Sequence, residues 1–370
     1  MHYFIAIISK SRCPPGGHVL TGGAEEGRGK EMRMQLAIFL MLALFMAGLP
    51  FLALYGGGEP VDKSEQGSED DPPTPAEPSL SEEPKPGERV FRIADRESGE
   101  VREVSASEFI LGAIAAEMPP TFHLEALKAQ GLAAYTYALK CQQQRGEGDG
   151  PDFVADPASA LGYLTTEQMK ERYGEQFEEY YAKLSEAARA VTGKVIVYEK
   201  EPIVAAWHAI SSGRTEAAEN VWSGGAAYLA PVDSSFDQNA PEFSTAVTFT
   251  AEEARERIAR GYPAISLQEE ESEWFSVVSR TESGNVQEIL VGDHLLTGAQ
   301  VRSLFGLRSA NFGVLWEDGE FCFDVAGYGH DVGLSQYGAD YLARQGMNCE
   351  EIIKYYYTGV EIVDESTLED

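Results

Sequence analysis

The longest uninterrupted apolar segment of the chain is QLAIFLMLALFMAGLPFLALY, residues 35–55, in which 21 positions carry no charge. About 20 apolar residues at 1.5 Å rise per residue allow a helix to cross a ~30 Å hydrocarbon core. Arg28, Lys30 and Arg33 precede the segment, and basic flanks stay in the cytoplasm. We therefore predict a single transmembrane anchor at 35–55, a cytoplasmic segment at 1–34, and an extracytoplasmic position for the rest of the chain.

A cleaved signal peptide is the alternative interpretation of this segment. Signal peptides have shorter apolar stretches and end in an A-x-A-like cleavage site, which this segment lacks. Met32 and Met34 stand directly before the apolar run, and residues 1–31 show no structural pattern. We therefore also expect translation to start downstream of Met1.

Residues 56–88 contain ten acidic residues, two lysines and many Pro, Gly and Ser residues, with almost nothing apolar. Such a composition cannot bury enough apolar surface to fold, and its like charges repel one another. We predict an extended acidic linker at 56–88 that separates the membrane anchor from a folded domain at 89–370.

The first part of this domain is predicted to be mainly helical. Apolar and small residues recur at spacings of three and four, while serines and prolines mark where helices begin and end. In chain order, the predicted elements are strands at Val90–Ile93 and Val101–Val104 and helices from Ser105 or Ser107 to Pro119–Pro120, Phe122–Arg145 and Thr166–Val191.

Strand patterns dominate the second part of the domain. The predicted strands are Lys194–Tyr198, Ile203–Ile210, Glu242–Thr250, Phe275–Thr281 and Val286–Val291, and short helices are predicted at Glu252–Arg260 and Ser335–Gln345. The sequence Ser283-Gly284-Asn285 predicts a hairpin between the last two strands. Helices followed by strands, without βαβ alternation, indicate an α+β fold. We expect a helical N-terminal part packed on a mixed, largely antiparallel β-rich part.

The charge balance of the chain narrows the classes of partner. It has 60 Asp and Glu against 29 Lys and Arg, which gives a net charge of −31. Binding to nucleic acid depends on Lys and Arg releasing counterions from phosphates. We therefore predict no nucleic-acid partner.

The four cysteines do not indicate a zinc site or a disulfide-dense scaffold. Cys13, Cys141, Cys322 and Cys349 form no C-x-x-C pair. A Cys322–Cys349 disulfide is one pairing that the sequence leaves open.

Glu117 is the first candidate for chemistry, in the apolar segment GAIAAEMPP at a predicted helix end. Burial disfavours a carboxylate and raises its pKa, as a general acid at neutral pH requires. An exposed glutamate at a helix end is the commoner situation, so this pattern alone does not decide the role of Glu117.

The segment WHAISSGRT, residues 207–215, predicts a tight turn after a strand. The turn would present Ser212 and Thr215 into a cleft beside Trp222 and Tyr228. Sugar rings pack on such aromatic faces, although aromatic residues are more often part of the core.

The segment GYGHDVGLSQYGA, residues 327–339, places four glycines around His330 before a helix. Glycines let the backbone approach a ligand closely. The Gly-Lys-Ser/Thr ending of a phosphate loop is missing. A nucleophile pair of Ser335 and His330 is an alternative, but the G-x-S-x-G elbow is also missing. A purely structural histidine fits the pattern equally well.

Six segments, in this order, resemble the stage II sporulation protein D family, also called the SpoIID/LytB domain. They are ILGAIAAEMP, EALKAQGLAAYTYAL, HAISSGRTEAAENVW, AYLAPVDS, LTGAQVRSLFGLRSANF and GYGHDVGLSQYGA, and together they cover most of residues 105–360. The single anchor and the linker are also similar to that family.

The resemblance implies a membrane-anchored lytic transglycosylase that cleaves peptide-stripped peptidoglycan strands and leaves 1,6-anhydro-muramic acid ends. It implies a place in forespore engulfment, between mother cell and forespore, with a cell-wall amidase and membrane engulfment proteins as partners. The glutamate of the family's A-x-E-M-P motif maps onto Glu117 as the single acid/base. We expect His330, Ser335, Gln336 and the turn at Ser212–Thr215 to line its cleft, with no cofactor.

Three positions depart from the family pattern. Tyr135 stands where the family usually has arginine, and tyrosine cannot replace a fixed positive charge. We count Tyr135 among the substrate-binding residues. Asp331 and Leu334 replace the usual Gly and Met. Some members bind zinc through Cys and His after the second helix, but residues 152–163 contain neither, so we predict no metal.

The alternative function is non-catalytic. Members grouped under LytB have been viewed as amidase enhancers, so the domain could hold glycan or activate an amidase without cutting the strand itself.

Overall fold

The structure is a computed structural model that describes residues 88–96, 98–146, 148, 150–155 and 161–368. The cytoplasmic segment, the membrane anchor at 35–55 and nearly all of the linker, as predicted above, lie outside these residues. In the described part of the chain, no helix combines the length and apolar character needed to cross a bilayer.

Helices and short strands alternate irregularly along the described chain. The α-helices are α1 (Ala106–Glu117), α2 (Leu124–Arg145), α3 (Thr166–Tyr173), α4 (Phe177–Val191), α5 (Ala251–Gly261), α6 (Gly298–Phe305), α7 (Gln336–Arg344) and α8 (Cys349–Tyr356). The strands are β1 (Val90–Asp95), β2 (Val101–Ser105), β3 (Phe153–Ala155), β4 (Lys194–Tyr198), β5 (Glu201–Pro202), β6 (Trp207–His208), β7 (Ser244–Thr250), β8 (Phe275–Arg280), β9 (Val286–Val291), β10 (His294–Thr297), β11 (Phe312–Glu317), β12 (Glu320–Ala326), β13 (Leu334–Ser335) and β14 (Glu361–Asp364).

Helix α2 is the centre of the first hydrophobic core. It packs against α1, α4, α7 and α8, and residues from all of these elements are buried together. Small residues permit this close packing: a Cβ atom on Gly131 would lie only 2.8 Å from the Ile114 side chain. Helix α1 therefore lies tightly against α2, which fixes the position of the α1 C-terminus.

Three small sheets surround this helical core. The β2-β1-β3 sheet is mixed, and the β14-β4-β5 sheet is antiparallel. The third is the parallel pair of β6 and β13, in which Trp207 is opposite Leu334 and His208 is opposite Ser335. This short pairing brings the turn after Trp207 beside the glycine-rich segment that precedes β13.

A second hydrophobic core belongs to the β-rich part. Two antiparallel three-stranded sheets, β11-β12-β7 and β10-β9-β8, enclose it together with α5 and α6. Its centre is aromatic, since Trp274 stacks on Phe321 and Phe305 stacks on Phe323. The predicted α+β class, with a helical part and a largely antiparallel part, is confirmed.

Two predicted elements were wrong. The predicted helix Thr166–Val191 is two helices, because Gly174 has a φ of 54° and a 3₁₀ turn at Gly174–Gln176 interrupts it. Of the predicted strand Ile203–Ile210, only Trp207–His208 forms a strand, and Ile210 adds a single antiparallel bridge to Tyr328. Its other backbone groups have different partners: the Val204 N–H, for example, donates to the Tyr228 hydroxyl.

The Cys322–Cys349 disulfide does not form, because Cys349 is a free thiol. The two residues belong to different parts of the fold. Cys322 is buried on β12 in the β-rich part, whereas Cys349 begins α8 and packs against the helical core.

Candidate functional site

Glu117 is the last residue of α1, and three donors surround its carboxyl group. Helix α1 ends there because Met118 is extended and Pro119 cannot follow a helical residue easily. Oε1 accepts a hydrogen bond from the Gly162 N–H at 2.8 Å, and Oε2 accepts one from the Trp207 indole at 3.0 Å. The side chain of Gln336 is the third donor.

The protonation of Glu117 is set by two opposing effects. Burial favours the neutral acid, whereas the hydrogen bonds from Trp207, Gly162 and Gln336 favour the carboxylate. Burial is the larger effect, so the pKa of Glu117 is raised above its ordinary value. The residue as a whole is half-buried, although its carboxyl group lies in a largely enclosed place. An oriented carboxyl group with a raised pKa is suited to donating a proton.

The segment that carries Gly162 is held against α1 by a close approach at Gly112. The Leu164 N–H donates to the Gly112 carbonyl at 3.1 Å. A Cβ atom on residue 112 would lie 2.6 Å from the Leu164 carbonyl oxygen and 2.4 Å from the ring of Tyr163. Glycine at 112 thus allows the segment to come close enough for Gly162 to bond Glu117.

Gln336 is oriented by a hydrogen bond to Gln130 of the core helix α2. It is the first residue of α7, is 7% exposed, and donates to Oε1 of Gln130 at 3.2 Å. Gln130 is fully buried on α2. The two amides therefore form a buried chain that ends at Glu117.

Trp207 connects Glu117 with the histidine loop. Its ring packs edge-on against Tyr137 of α2 at 6.0 Å between centroids. Its backbone carbonyl accepts a hydrogen bond from the His330 ring. Nδ1 of His330 in turn accepts from the Val332 N–H at 3.0 Å.

His330 is a neutral ring in this site. Burial and the nearby charge of Arg302 lower its pKa to about 4. The Trp222 ring, which is 40% exposed, lies edge-on to the His330 ring with 4.9 Å between the ring centroids. His330 therefore acts at pH 7 as a hydrogen-bonded wall beside an exposed aromatic face, rather than as a charged group. Tyr228, the other aromatic candidate, packs at a tilt against Tyr198 in the helical part instead.

Ser212 contacts the same loop through Asp331. Its hydroxyl donates to Oδ2 of Asp331 at 2.8 Å, and its N–H donates to Oδ1 at 3.1 Å. Burial raises the pKa of Asp331 to about 6. Nε2 of His208 lies 3.9 Å from Oδ1 of Asp331 and has no hydrogen-bond partner. Asp331 adopts a φ of 65°, the left-handed region that favours glycine.

Ser335 and Thr215 are fully buried and hydrogen-bonded within the fold. The Ser335 hydroxyl donates to Oδ2 of Asp237 at 2.6 Å and caps α7 by accepting from the Gly338 N–H. The Thr215 hydroxyl accepts from the Val232 N–H at 2.8 Å. Since Ser335 is bonded to Asp237 and not to His330, the structure does not assemble a serine–histidine nucleophile pair.

Tyr135 is also fully buried, and its hydroxyl donates to Glu365. Glu365 binds the guanidinium of Arg89 as well. The ring packs against Phe91 of β1 at 5.8 Å. The structure therefore does not bring Tyr135 to Glu117. The α2 residue that packs against Trp207 is Tyr137, two positions further along the helix.

Three contributors to the site were missed in the sequence. Gln130 could have been found, since it is a polar residue on the small, apolar face of α2. Trp207 stood in a recognised segment, but its bond to Glu117 is a long-range contact. Gly162 gave no local signal.

In the part of the chain that the structure describes, no group of three or more His, Cys, Asp or Glu could hold a metal ion. The predicted absence of a metal stays a prediction.

Comparison with known proteins identifies the family of this chain. The family described as SpoIID, stage II sporulation protein, matches residues 94–198, which include Glu117. The chain is 31% identical to stage II sporulation protein D of Bacillus subtilis over 278 residues, which is 74% of this chain and 78% of that protein. It is also 31% identical to stage II sporulation protein D of Bacillus amyloliquefaciens over 332 residues, covering 88% and 93% of the two chains.

A more distant relative carries a different name. The amidase enhancer of Bacillus subtilis is 22% identical over 308 residues, which is 68% of this chain and 40% of that protein. The identity and coverage of the two sporulation proteins settle the assignment. The chain belongs to the stage II sporulation protein D family.

Proposed function

We propose that this protein is a peptidoglycan lytic transglycosylase that cuts glycan strands from which the stem peptides have been removed. The observation that carries the proposal is the environment of Glu117. Its carboxyl group belongs to a half-buried residue, holds a raised pKa because of burial, and is oriented by Gly162, Trp207 and Gln336. Fixed orientation and a pKa moved toward neutrality are what a general acid requires.

A single carboxyl group is sufficient for this reaction. Glu117 donates its proton to the glycosidic oxygen as the bond to the anomeric carbon breaks. The C6 hydroxyl of the same muramic acid then attacks the anomeric carbon, and the Glu117 carboxylate accepts the hydroxyl proton. The products are a free sugar hydroxyl and a 1,6-anhydro ring. A hydrolase would need a second carboxylate to activate water or form a covalent intermediate.

The surroundings of Glu117 suit a sugar ligand. Trp222 offers an exposed aromatic face next to His330, and the apolar face of a sugar ring packs on such surfaces. The neutral His330 ring, whose nitrogens bond the backbone of Val332 and Trp207, forms an uncharged wall of this region.

The relatives support a role in sporulation. We propose that the protein is anchored in the cytoplasmic membrane by residues 35–55 and acts between mother cell and forespore during engulfment. A cell-wall amidase would supply its peptide-free substrate, and engulfment proteins of the membrane would be neighbours.

The test uses the full-length chain in detergent micelles with peptide-free glycan strands. Products are separated and anhydro ends are identified by mass spectrometry. Glu117→Gln keeps the shape of the side chain but cannot donate the proton, so the rate should fall about 100-fold or more. Glu108→Gln is the matched control, because Glu108 lies in the first turn of the same helix and burial also raises its pKa. Equal rates for both variants would refute the catalytic role of Glu117.

A non-catalytic function is the second candidate, favoured by the relative named amidase enhancer. In that case the wild-type chain would release no anhydro-ended fragments, yet it would raise the rate of a cell-wall amidase on intact peptidoglycan. Glu117→Gln would then leave that stimulation unchanged.

A further inference from the structure

A cleft of about 490 Å³ lies at the C-terminal end of α6, apart from the Glu117 carboxyl group. Two arginines, Arg302 and Arg308, line it together with Tyr328 and Ser303. Both arginines come from the segment LTGAQVRSLFGLRSANF, to which the proposed reaction assigns no role. Two guanidinium groups at one cleft concentrate positive charge in a chain with a net charge of −31.

Arg302 has most of its hydrogen-bonding capacity unused. Its Nε–H donates to the Leu307 carbonyl at 3.3 Å. Within the described chain, its two terminal nitrogens have no protein acceptor, and no carboxylate lies within ion-pair distance. Burial lowers the pKa of Arg302, although the charge of Asp331 acts in the opposite direction. The cation is thus held in a partly desolvated place with no carboxylate of the described chain in direct contact.

Arg308 is held over the Tyr328 ring at 4.3 Å from the centroid. One terminal nitrogen pairs with Glu242 at 3.0 Å, and the Glu242 side chain is 67% exposed. The Nε–H of Arg308 is buried and has no partner. Tyr328 therefore fixes the plane of a second guanidinium beside the cleft.

A series of direct interactions joins this cleft to Glu117. The Gly329 N–H donates to the Arg308 carbonyl at 3.0 Å, which places the cleft beside the His330 segment. The charge of Arg302 also helps to lower the pKa of the His330 ring. The His330 ring bonds the backbone of Trp207, and the Trp207 indole bonds Glu117. A glycan chain that reaches from Glu117 past His330 would bring a neighbouring sugar to the arginines.

We propose that Arg302 and Arg308 form a carboxylate-binding subsite for the lactyl group of muramic acid. This inference rests on the proposed glycan substrate and adds a reason for its peptide-free form. Removal of the stem peptide leaves one carboxylate on each muramic acid, whereas the intact strand has an amide there. A guanidinium binds a carboxylate through two parallel N–H···O bonds. The subsite would therefore select stripped strands over neutral glycans.

Binding of defined tetrasaccharides to the full-length chain in detergent micelles tests the subsite. Glu117→Gln serves as the parent protein, so that no ligand is cut. One ligand carries free lactyl carboxylates, and the other carries the same groups as methyl esters. We expect the free acid to bind the parent about 10- to 100-fold more tightly than the ester, as a charged hydrogen-bonded pair would give.

Further substitutions in the Glu117→Gln parent show which residues bind the carboxylate. Arg302→Gln or Arg308→Gln should reduce binding of the free acid to the level of the ester and leave ester binding unchanged. Arg302→Lys should retain part of the preference, because it keeps the charge but loses the planar fork. Arg189→Gln, an exposed arginine on α4, removes the same charge at a distance and should change neither ligand.

The possible failures are distinguishable. Equal binding of acid and ester to the parent would overturn the subsite and leave the glycan function standing. Loss of both ligands in Arg302→Gln would also overturn it, since the residue would then be structural. Failure of the parent to bind either tetrasaccharide would overturn the proposed function together with the subsite.

Discussion

Trp207 donates its indole N–H to Oε2 of Glu117 at 3.0 Å, although the two residues are 90 positions apart in the chain. The bond ties the end of α1 to the strand β6, and through β13 to the glycine-rich histidine segment. Trp207 thus has two effects. It orients the carboxyl group, and it partly offsets the rise in pKa that burial causes.

Trp207→Phe should move the pH dependence of glycan cleavage upward. Phenylalanine keeps a ring against Tyr137 but removes the donor that favours the carboxylate. The pKa of Glu117 should then rise further, so that the decline of kcat/KM at high pH begins at a higher pH. The measurement is a pH profile of kcat/KM for peptide-free strands.

Trp316→Phe is the matched control for that profile. Trp316 lies on β11 and packs on Phe321 of the β-rich part. Its substitution should leave the profile in place. An unshifted profile in Trp207→Phe would mean that the indole does not control the protonation of Glu117.

The variant Ser335→Ala tests whether Ser335 has a structural role or acts as a nucleophile. The variant loses the N-cap of α7 and a donor to Asp237, so the free energy of unfolding should fall by about 1–3 kcal/mol in urea denaturation. Glycan cleavage at 25 °C should stay within about threefold of wild type, because Ser335 is not among the groups that bond Glu117. A complete loss of cleavage in a folded variant would support the serine-nucleophile alternative instead.

Tyr135→Phe tests whether the family's arginine position acts on substrate in this chain. The hydroxyl of Tyr135 bonds Glu365, which also pairs with Arg89. Its removal should lower the free energy of unfolding by about 1–2 kcal/mol and leave kcat/KM unchanged. A tenfold fall in kcat/KM without a change in stability would show that Tyr135 reaches the substrate after all.

Local signals explain most of what the sequence predicted correctly. Ser105 accepts from the Glu108 N–H as the N-cap of α1, and the prolines after Met118 end that helix. The hairpin at Ser283–Asn285 follows from its turn residues. In each case a few neighbouring residues determine the backbone, so no distant contact was needed to predict the element.

Long-range contacts explain what the sequence left open. Two of the three donors to Glu117 come from residues 45 and 90 positions away, and neither contact has a local pattern. The roles of Ser335 and Tyr135 depend on Asp237 and Glu365, which only the folded chain brings near. The sequence of a glycine-rich motif does not show whether its hydroxyl or ring faces a cleft or a buried carboxylate.

Asp237 should make the stability of the fold depend on pH. Burial raises its pKa to about 7, and the charge of Asp331 adds to the rise. In the unfolded chain the group ionises near its ordinary pKa of about 4. Between pH 4 and pH 7 the native state therefore holds a proton that the unfolded state has lost. The contribution of this group to stability is complete below pH 4, decreases as pH rises to 7, and then stays constant.

Asp237→Asn isolates this contribution, because the neutral amide keeps an oxygen for Ser211 and Ser335 but does not titrate. His208 and His330, whose pKa values are lowered, and Asp331, whose pKa is raised to about 6, are present in both proteins, so their own contributions cancel in the comparison. The charge coupling between Asp331 and Asp237 is lost in the variant and belongs to the measured difference. Relative to the variant, wild type should lose on the order of 4 kcal/mol between pH 4 and pH 7, since one pKa unit corresponds to about 1.4 kcal/mol. Urea denaturation at a series of pH values measures the difference. A constant difference across that range would mean that Asp237 is already ionised in the folded protein at pH 4, held so by its three donors.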